Sequence, residues 1–364
     1  MYLSRRRQVD THEFGSDRAC RGVPAACLGA GVDRVREDGD VSVEDNGADD
    51  DPLGGAPHAT GWPVLSGPGW QETRDTLHMW TQVVGKVRMA VEPPLNHWWH
   101  VPLYVSSRGL TTSLVHHPVT PFEITFDFRA HRLSVDLVDG QAMHVALFPR
   151  SVADFYAEVM AALGQLGLDV VINPRPVEVV EAIPFHEDTL HASYDADRAQ
   201  AFWLALVQTQ RVLRRFAAGF AGKNSPVHFF WGSFDLAQTR FSGRPAPRHP
   251  GGVPNCPDSV MEEAYSHEVS SCGYWPGGES EGLFYAYAYP VPEGYRSRPV
   301  SPAAAGYDDA LGEFVLPYAD VRRSAAPDPD LLGFFQSAYD AAADLGGWDP
   351  ALVTGADLTA TPGT

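Results

Sequence analysis

The chain has 364 residues, enough for one large domain or two ordinary ones, and 46 acidic against 27 basic side chains give it a formal net charge of -19. That balance argues against sequence-independent nucleic-acid binding, which needs a basic surface to displace counterions, and against electrostatic docking on anionic lipid. No apolar run is long enough to span a membrane, and the four cysteines, Cys20, Cys27, Cys256 and Cys272, form no C-x-x-C pair of the kind that structural zinc sites use. Arg5-Arg6-Arg7 has no apolar stretch behind it and is not a secretory signal, so a cytoplasmic location is expected.

Taken in order, residues 1–61 read as a disordered acidic leader, with the acids concentrated between Asp33 and Asp51 and few apolar residues nearby to bury. Residues 62–350 read as one folded body and residues 351–364 as a frayed tail. The spacing of Leu77, Trp80, Val84 and Val87 predicts an amphipathic helix over 71–90, with Arg74, Gln82, Lys86 and Arg88 mostly off the stripe. Pro93-Pro94 ends it. A strand is expected over 97–107, then strands over 122–128, 132–138 and 141–148. Ser151 can cap a helix over 151–166 whose apolar face is Val152, Phe155, Val159 and Leu163, with Gly167 as its stop. A short strand over 170–173 is followed by a second long helix over 196–220. After a Pro/Gly-rich loop at 244–257 come strands over 265–272 and 283–289 and a last helix over 330–345.

Residues 225–244, SPVHFFWGSFDLAQTRFSGR, form the densest aromatic run of the chain. As one long strand it would put His228, Phe230, Gly232, Phe234 and Leu236 on one face, and Phe229, Trp231, Ser233, Asp235, Ala237 and Thr239 on the other. The second set mixes aromatic and hydrogen-bonding groups as a cleft wall does. Arg240 lies at odd separation from Asp235 and reaches the same cleft only if the strand bends; a carboxylate partner, Glu268 or Asp235, is expected for it. His97 and His100 would point to opposite faces of a strand, which disfavours a metal clamp, and no metal site is expected. Ser233, Asp235 and His267 offer the residue types of a triad without a nucleophile-elbow context, and Cys272 is a thiol with no flanking signature. Arg240, Arg244, Arg248 and His249 form a basic cluster that suits a carboxylate or phosphate. No phosphate loop, dinucleotide fingerprint or H-E-x-x-H motif occurs, so no cofactor is named.

The element order repeats: a helix, a break, a run of His and two aromatics (His97-Trp98-Trp99 and His228-Phe229-Phe230), further strands and a closing helix. The expected architecture is α+β, antiparallel sheets with packed helices, in two similar helix–strands–helix halves over 70–180 and 196–348. The blocks NHWWHVPLYVSSRGL, LFPRSVADFYAEVMAAL, HFFWGSFDLAQTRFSGRPAP and YSHEVSSCGYWPGG resemble those of a bacterial family catalogued as domain of unknown function 5996, over about Trp70 to Trp348. That resemblance implies no activity and no catalytic residues. The residues themselves point to an enzyme or small-molecule-binding protein with a cleft around 228–240 and 265–275. Its walls would be Trp231, Ser233, Asp235, Arg240, Glu268 and Trp275, and its ligand a small polar or anionic molecule. The alternative is a non-catalytic interaction protein in which these residues are core; burial of those side chains discriminates the two.

Overall fold

The structure, a computed structural model, describes residues 61–67, 69–278 and 281–353. The expected leader, up to residue 60, and the tail from 354 lie outside the described residues. The elements in order are α1 (Trp70–Val91), β1 (Tyr104–Val105), β2 (Gly109–Thr111), β3 (Phe122–Asp127), β4 (Arg132–Leu137), β5 (Ala142–Ala146), α2 (Val152–Gln165) and α3 (Ala196–Ala218). They continue with β6 (His228–Phe230), β7 (Asp235–Pro245), α4 (Asp258–Ala264), β8 (His267–Trp275), β9 (Leu283–Tyr289), β10 (Gly306–Asp308), β11 (Glu313–Pro317), α5 (Tyr318–Arg323) and α6 (Pro327–Gly346). The fold is α+β.

Two antiparallel sheets follow the chain closely, β1-β2-β3-β4-β5 and β10-β11-β9-β8-β7-β6. Most neighbouring strands are consecutive in sequence, so short connections suffice. The sheets meet at one backbone pair: Leu103 and Phe229 exchange N–H···O bonds of 2.9 and 2.8 Å. Their apolar faces share one core with the helices.

α1 differs from the surface helix its stripe suggests. Every residue from Met79 to Arg88 is buried, including Gln82, Lys86 and Arg88. A helix buried all round belongs inside the fold, and its polar residues need partners there. Gln82 answers this with its whole amide: Oε1 accepts from Val177 N–H and Nε2 donates to Val177 C=O, both at 2.9 Å. At Gly85 a side chain would collide with the Trp231 ring, so the missing β-carbon lets the β6–β7 connection seat against the helix.

α2 begins as its sequence dictates, Ser151 Oγ accepting from Asp154 N–H at 3.0 Å. The expected strand over 97–107 shrinks to Tyr104–Val105. Asn96–Trp98 is instead a 3₁₀ turn with His97 and Trp98 in the left-handed region, at φ 55 and 59. His97 N–H donates to Glu263 of α4 at 3.1 Å, and this tertiary contact overrides the strand propensity of the aromatics. His97 and His228 thus take different conformations, one in a turn and one in β6. Residues 170–173 form no strand.

Candidate functional site

The aromatic run at 225–244 is not one strand but a hairpin. β6 turns back through Trp231–Phe234, with Phe234 left-handed at φ 61, into β7. The pairing is His228↔Ala237, Phe229↔Leu236 and Phe230↔Asp235. Paired residues share a face, so His228 and Phe230 join Asp235, Ala237 and Thr239, and the single-strand assignment of faces is corrected. Further pairs, Ala237↔Gly273, Thr239↔Ser271, Gly273↔Tyr285 and Ser271↔Tyr287, extend this face across β8 and β9.

A cleft opens on it, with about 470 Å³ of empty space counting that open to solvent. Its floor is His228, Phe230, Asp235, Ala237, Thr239, Phe241, Val269, Ser271, Tyr285 and Tyr287. Its roof is His97 and Trp99 from the α1–β1 connection, with Ala264 and Tyr265 from the end of α4. A small apolar cluster of Phe241, Met261, Tyr265 and Val269 holds that roof down.

Asp235, 1% exposed, is the only carboxylate among the residues lining this cleft. Ser233 Oγ donates to its Oδ1 and the Tyr285 hydroxyl to its Oδ2. Tyr285 reaches across β8 because Gly273 has no side chain; a β-carbon there would lie 2.6 Å from the Tyr285 hydroxyl oxygen. Burial, and then the charge of Asp235, raises the Tyr285 phenol well above its ordinary range, so it stays a proton donor. Beyond it the hydroxyls form a chain: Tyr265 to Tyr287 at 2.8 Å, Tyr287 to Ser271, and Ser271 to Thr239 at 2.9 Å.

Two more carboxylates act on Asp235 electrostatically. Glu178, with its backbone at φ 60, lays its side chain against Gly232 in the hairpin turn, fixed by Gln82 through Val177 and by its own N–H to Pro254 C=O at 2.8 Å. Glu313, 3% exposed, has an Oε1 with no hydrogen-bond partner. The register Val315↔Tyr285 puts it on the same sheet face as Tyr285 and Tyr287. Burial first, and then the charge of Asp235, pushes each of these glutamates up to about 7.

Two histidines complete the cleft. His228 is buried with its Nδ1 unpartnered, and burial, helped by the charge of Arg88, lowers it to about 3, so it is neutral. At the mouth, His97 Nδ1 lies 3.3 Å from Ala264 C=O and its Nε2 lies 3.2 Å from Lys223 Nζ. Since a carbonyl must accept and an ammonium must donate, His97 carries its proton on Nδ1.

The sequence-derived residues divide sharply. Asp235 lines the cleft and Ser233 bonds to it. Trp231 does not face it: the ring packs on Gly85 and Nε1 donates to Val101 C=O at 2.8 Å. Trp275 closes β8 and packs over Gly277, outside the lining. Arg240 lies on the opposite sheet face, fully buried, with its guanidinium carbon 3.4 Å from the Phe216 ring centroid and 4.3 Å from that of Tyr339. It donates to Phe216 C=O at the end of α3, and its Nε and Nη1 have no partner. The expected carboxylate partner is absent among the described residues; aromatic faces take its place, and burial lowers the guanidinium to about 10. β7 keeps its pairing through Phe241↔Val269, so the bend comes only after Arg240, between Phe241 and Pro245, too late to turn Arg240 back.

Glu268 is held by Arg244, at 2.6 Å, and by Ser242, at 2.8 Å, not by Arg240. It borders a second groove, about 500 Å³ counting space open to solvent, with Tyr289, Glu293, Leu345 and Trp348. Arg244 also donates to the carbonyls of Gly346 and Gly347, and Arg248 pairs with Glu262. The arginines are therefore spent on separate partners and gather around no common anion site, which corrects the reading of an arginine-lined cleft. Nor is there a triad: Ser233 bonds Asp235 directly, while His267 Nδ1 pairs with Ser266. Cys272 is buried, which raises its thiol far above the reactive range. Among the described residues no group of three or more His, Cys, Asp or Glu is placed to hold a metal ion, and no helix is long and apolar enough to cross a membrane.

Tyr285, Tyr287, Tyr265 and His228 are the cleft's unforeseen lining residues, and Glu178 and Glu313 are unforeseen carboxylates outside the lining. The YAYAY alternation of β9 was a signal for two of them, since a repeated tyrosine on one strand face presents a repeated hydroxyl. The glutamates come from distant chain positions and carry no local signal.

No curated protein and no solved structure matches the chain. One protein family does, over residues 62–354, which takes in the hairpin, the tyrosine strand and both ends of the cleft roof. The chain belongs to this family of unknown function, DUF5996.

Proposed function

We propose that the protein binds a small molecule in the cleft on the β6–β9 face and that Asp235 is the group that engages it. The observation that carries this reading is the state of Asp235. It is buried, it receives two hydroxyl donors, and no lysine, arginine or histidine nitrogen lies within 4.0 Å of it among the described residues. A buried carboxylate without a cationic partner is costly to keep, and sites kept at such cost tend to be used. Backbone strain supports the same place. His97, Trp98, Glu178 and Phe234, all non-glycine residues at positive φ, border the cleft or the hairpin beside it.

A second reading, an acid–base enzyme, is favoured by a specific pairing: Asp235 beside Glu178, whose carboxyl titrates near neutrality. In such an enzyme Asp235 accepts a proton and gives it back, Tyr285 and Ser233 orient it, and Glu178 adds its charge to the same site. Acidic overall charge and free Cys256 and Cys272 support a partner that is neither nucleic acid nor membrane, in a reducing compartment. The test is native mass spectrometry of the purified protein beside Asp235→Asn. A retained small molecule in the wild type that is missing from the variant, with unchanged melting, is the expected result. A molecule retained equally by both removes Asp235 from the reading.

A further inference from the structure

We propose that the ligand of this cleft is a small organic cation, an ammonium whose charge sits against Asp235 and whose alkyl body packs on the tyrosine and phenylalanine rings. This rests on the reading that the cleft is a small-molecule site, and adds the charge and class of the molecule. Asp235 is the carboxylate on the floor, and Glu178 and Glu313 add negative potential from either side of it. None of the three forms an ion pair with a lysine or arginine among the described residues. Burial holds each flanking carboxyl at about 7, so near neutrality each is about half ionised, and it ionises further if a cation arrives.

The remaining walls suit a cation as well. Phe230, Phe241, Tyr265, Tyr285 and Tyr287 present ring faces or edges to the space, and ring faces attract a desolvated ammonium. The chain supplies its own demonstration at the mouth, where the Lys223 ammonium sits 5.2 Å from the Trp99 ring centroid and 5.3 Å from that of Phe241. Lys223 is exposed, and its hydrogen bond to His97 Nε2 at 3.2 Å holds it there together with the rings. An independent sign of a missing occupant is His228: it lines the cleft, is 1% exposed, and its Nδ1 has no partner. A neutral imidazole nitrogen in that position can meet a hydroxyl or N–H of the ligand without opposing its charge. Among the described residues the lining offers an anion no arginine, because Arg240, Arg244 and Arg248 are engaged elsewhere, and the Lys223 ammonium sits at the mouth on His97 rather than beside Asp235.

The experiment compares three probes of one shape by isothermal titration calorimetry on the full chain. They are choline, its neutral isostere 3,3-dimethylbutan-1-ol, and the anion 3,3-dimethylbutanoate. The expected result is that choline binds about tenfold or more tighter than the neutral isostere, the order of a desolvated cation–π and carboxylate contribution. The anion shows no binding, and Asp235→Asn removes the preference for choline. Equal binding of choline and the alcohol, both lost in Thr239→Trp, which fills the cleft, overturns the cationic ligand while the small-molecule site stands. Tighter binding of the anion overturns it as well. If no probe binds, and Thr239→Trp does not displace a molecule retained in native mass spectrometry, the proposal and the reading of the cleft fall together.

Discussion

Glu313→Gln should stabilise the protein at neutral and alkaline pH and leave it nearly unchanged in acid. The Glu313 carboxyl is 3% exposed and its Oε1 has no partner. Burial, with the charge of Asp235, raises it from its ordinary 4.5 to about 7. The folded state therefore holds this proton more tightly than the unfolded state. Below pH 4.5 both states are protonated and the group costs nothing. As pH rises from 4.5 through 7 the unfolded chain ionises first, and the stability contributed by the bound proton is lost; above 7 the loss is complete. At about 1.4 kcal/mol for each pH unit of displacement, the loss is on the order of 3 kcal/mol. Gln keeps the shape and cannot ionise. Guanidinium unfolding followed by tryptophan fluorescence at pH 4, 6 and 8 measures the difference. The variant should equal the wild type at pH 4 and exceed it by up to about 3 kcal/mol at pH 8. A gap that does not change with pH, or a variant weaker at pH 8, would falsify the burial argument for the acidic side of the cleft.

Arg240→Met should melt at or above the wild-type temperature. The guanidinium has aromatic faces and one carbonyl but no carboxylate, and apolar replacement of a buried charge is often neutral or stabilising by roughly 1–4 kcal/mol. Arg240→Ala, which leaves a cavity instead, should lose stability on the order of 2–5 kcal/mol. A Met variant as weak as the Ala variant would show that the charge itself is needed. Gly273→Ala would collide with the Leu236 carbonyl oxygen and meet the Tyr285 hydroxyl at 2.6 Å, so it should both strain the β7–β8 pairing and push Tyr285 off Asp235, costing at least about 1–3 kcal/mol and abolishing ligand retention, whereas Ala237→Gly, on the neighbouring strand, should keep it. Retention by Gly273→Ala would show that the Tyr285–Asp235 bond is dispensable.

Much of the fold was legible where one local signal agreed with one global role. Ser151 caps α2, the apolar face of α6 is buried at Leu331, Phe334, Phe335 and Ala338, and the alternation of residues 122–127 is β3. The misreadings came where tertiary contacts set the backbone. The turn at Trp231–Phe234 has one glycine and no proline or asparagine, and its left-handed residue is a phenylalanine, so the aromatic run hid the hairpin. One hidden turn then reversed the faces, taking Trp231 out of the cleft and bringing His228 in. Helix α4 was missed because seven residues with only Met261 buried give no stripe. Asp235 was legible as a lone acid among aromatics. Glu178 and Glu313 were not, since only the folded chain brings them to it. The repetition of helix, strands and helix remains our proposal of an ancient duplication. The pairing of His97 with His228 that suggested it does not hold, since His97 lies in a turn and His228 in β6.

The central claim is that a small molecule occupies the β6–β9 face against Asp235. A crystallographic fragment screen tests it without assuming a ligand. The account predicts that bound fragments concentrate between His228, Asp235, Tyr265 and Tyr285, with amines in direct contact with the Asp235 carboxylate. Fragments that leave this cleft empty and collect instead in the groove beside Glu268 and Trp348 would contradict it.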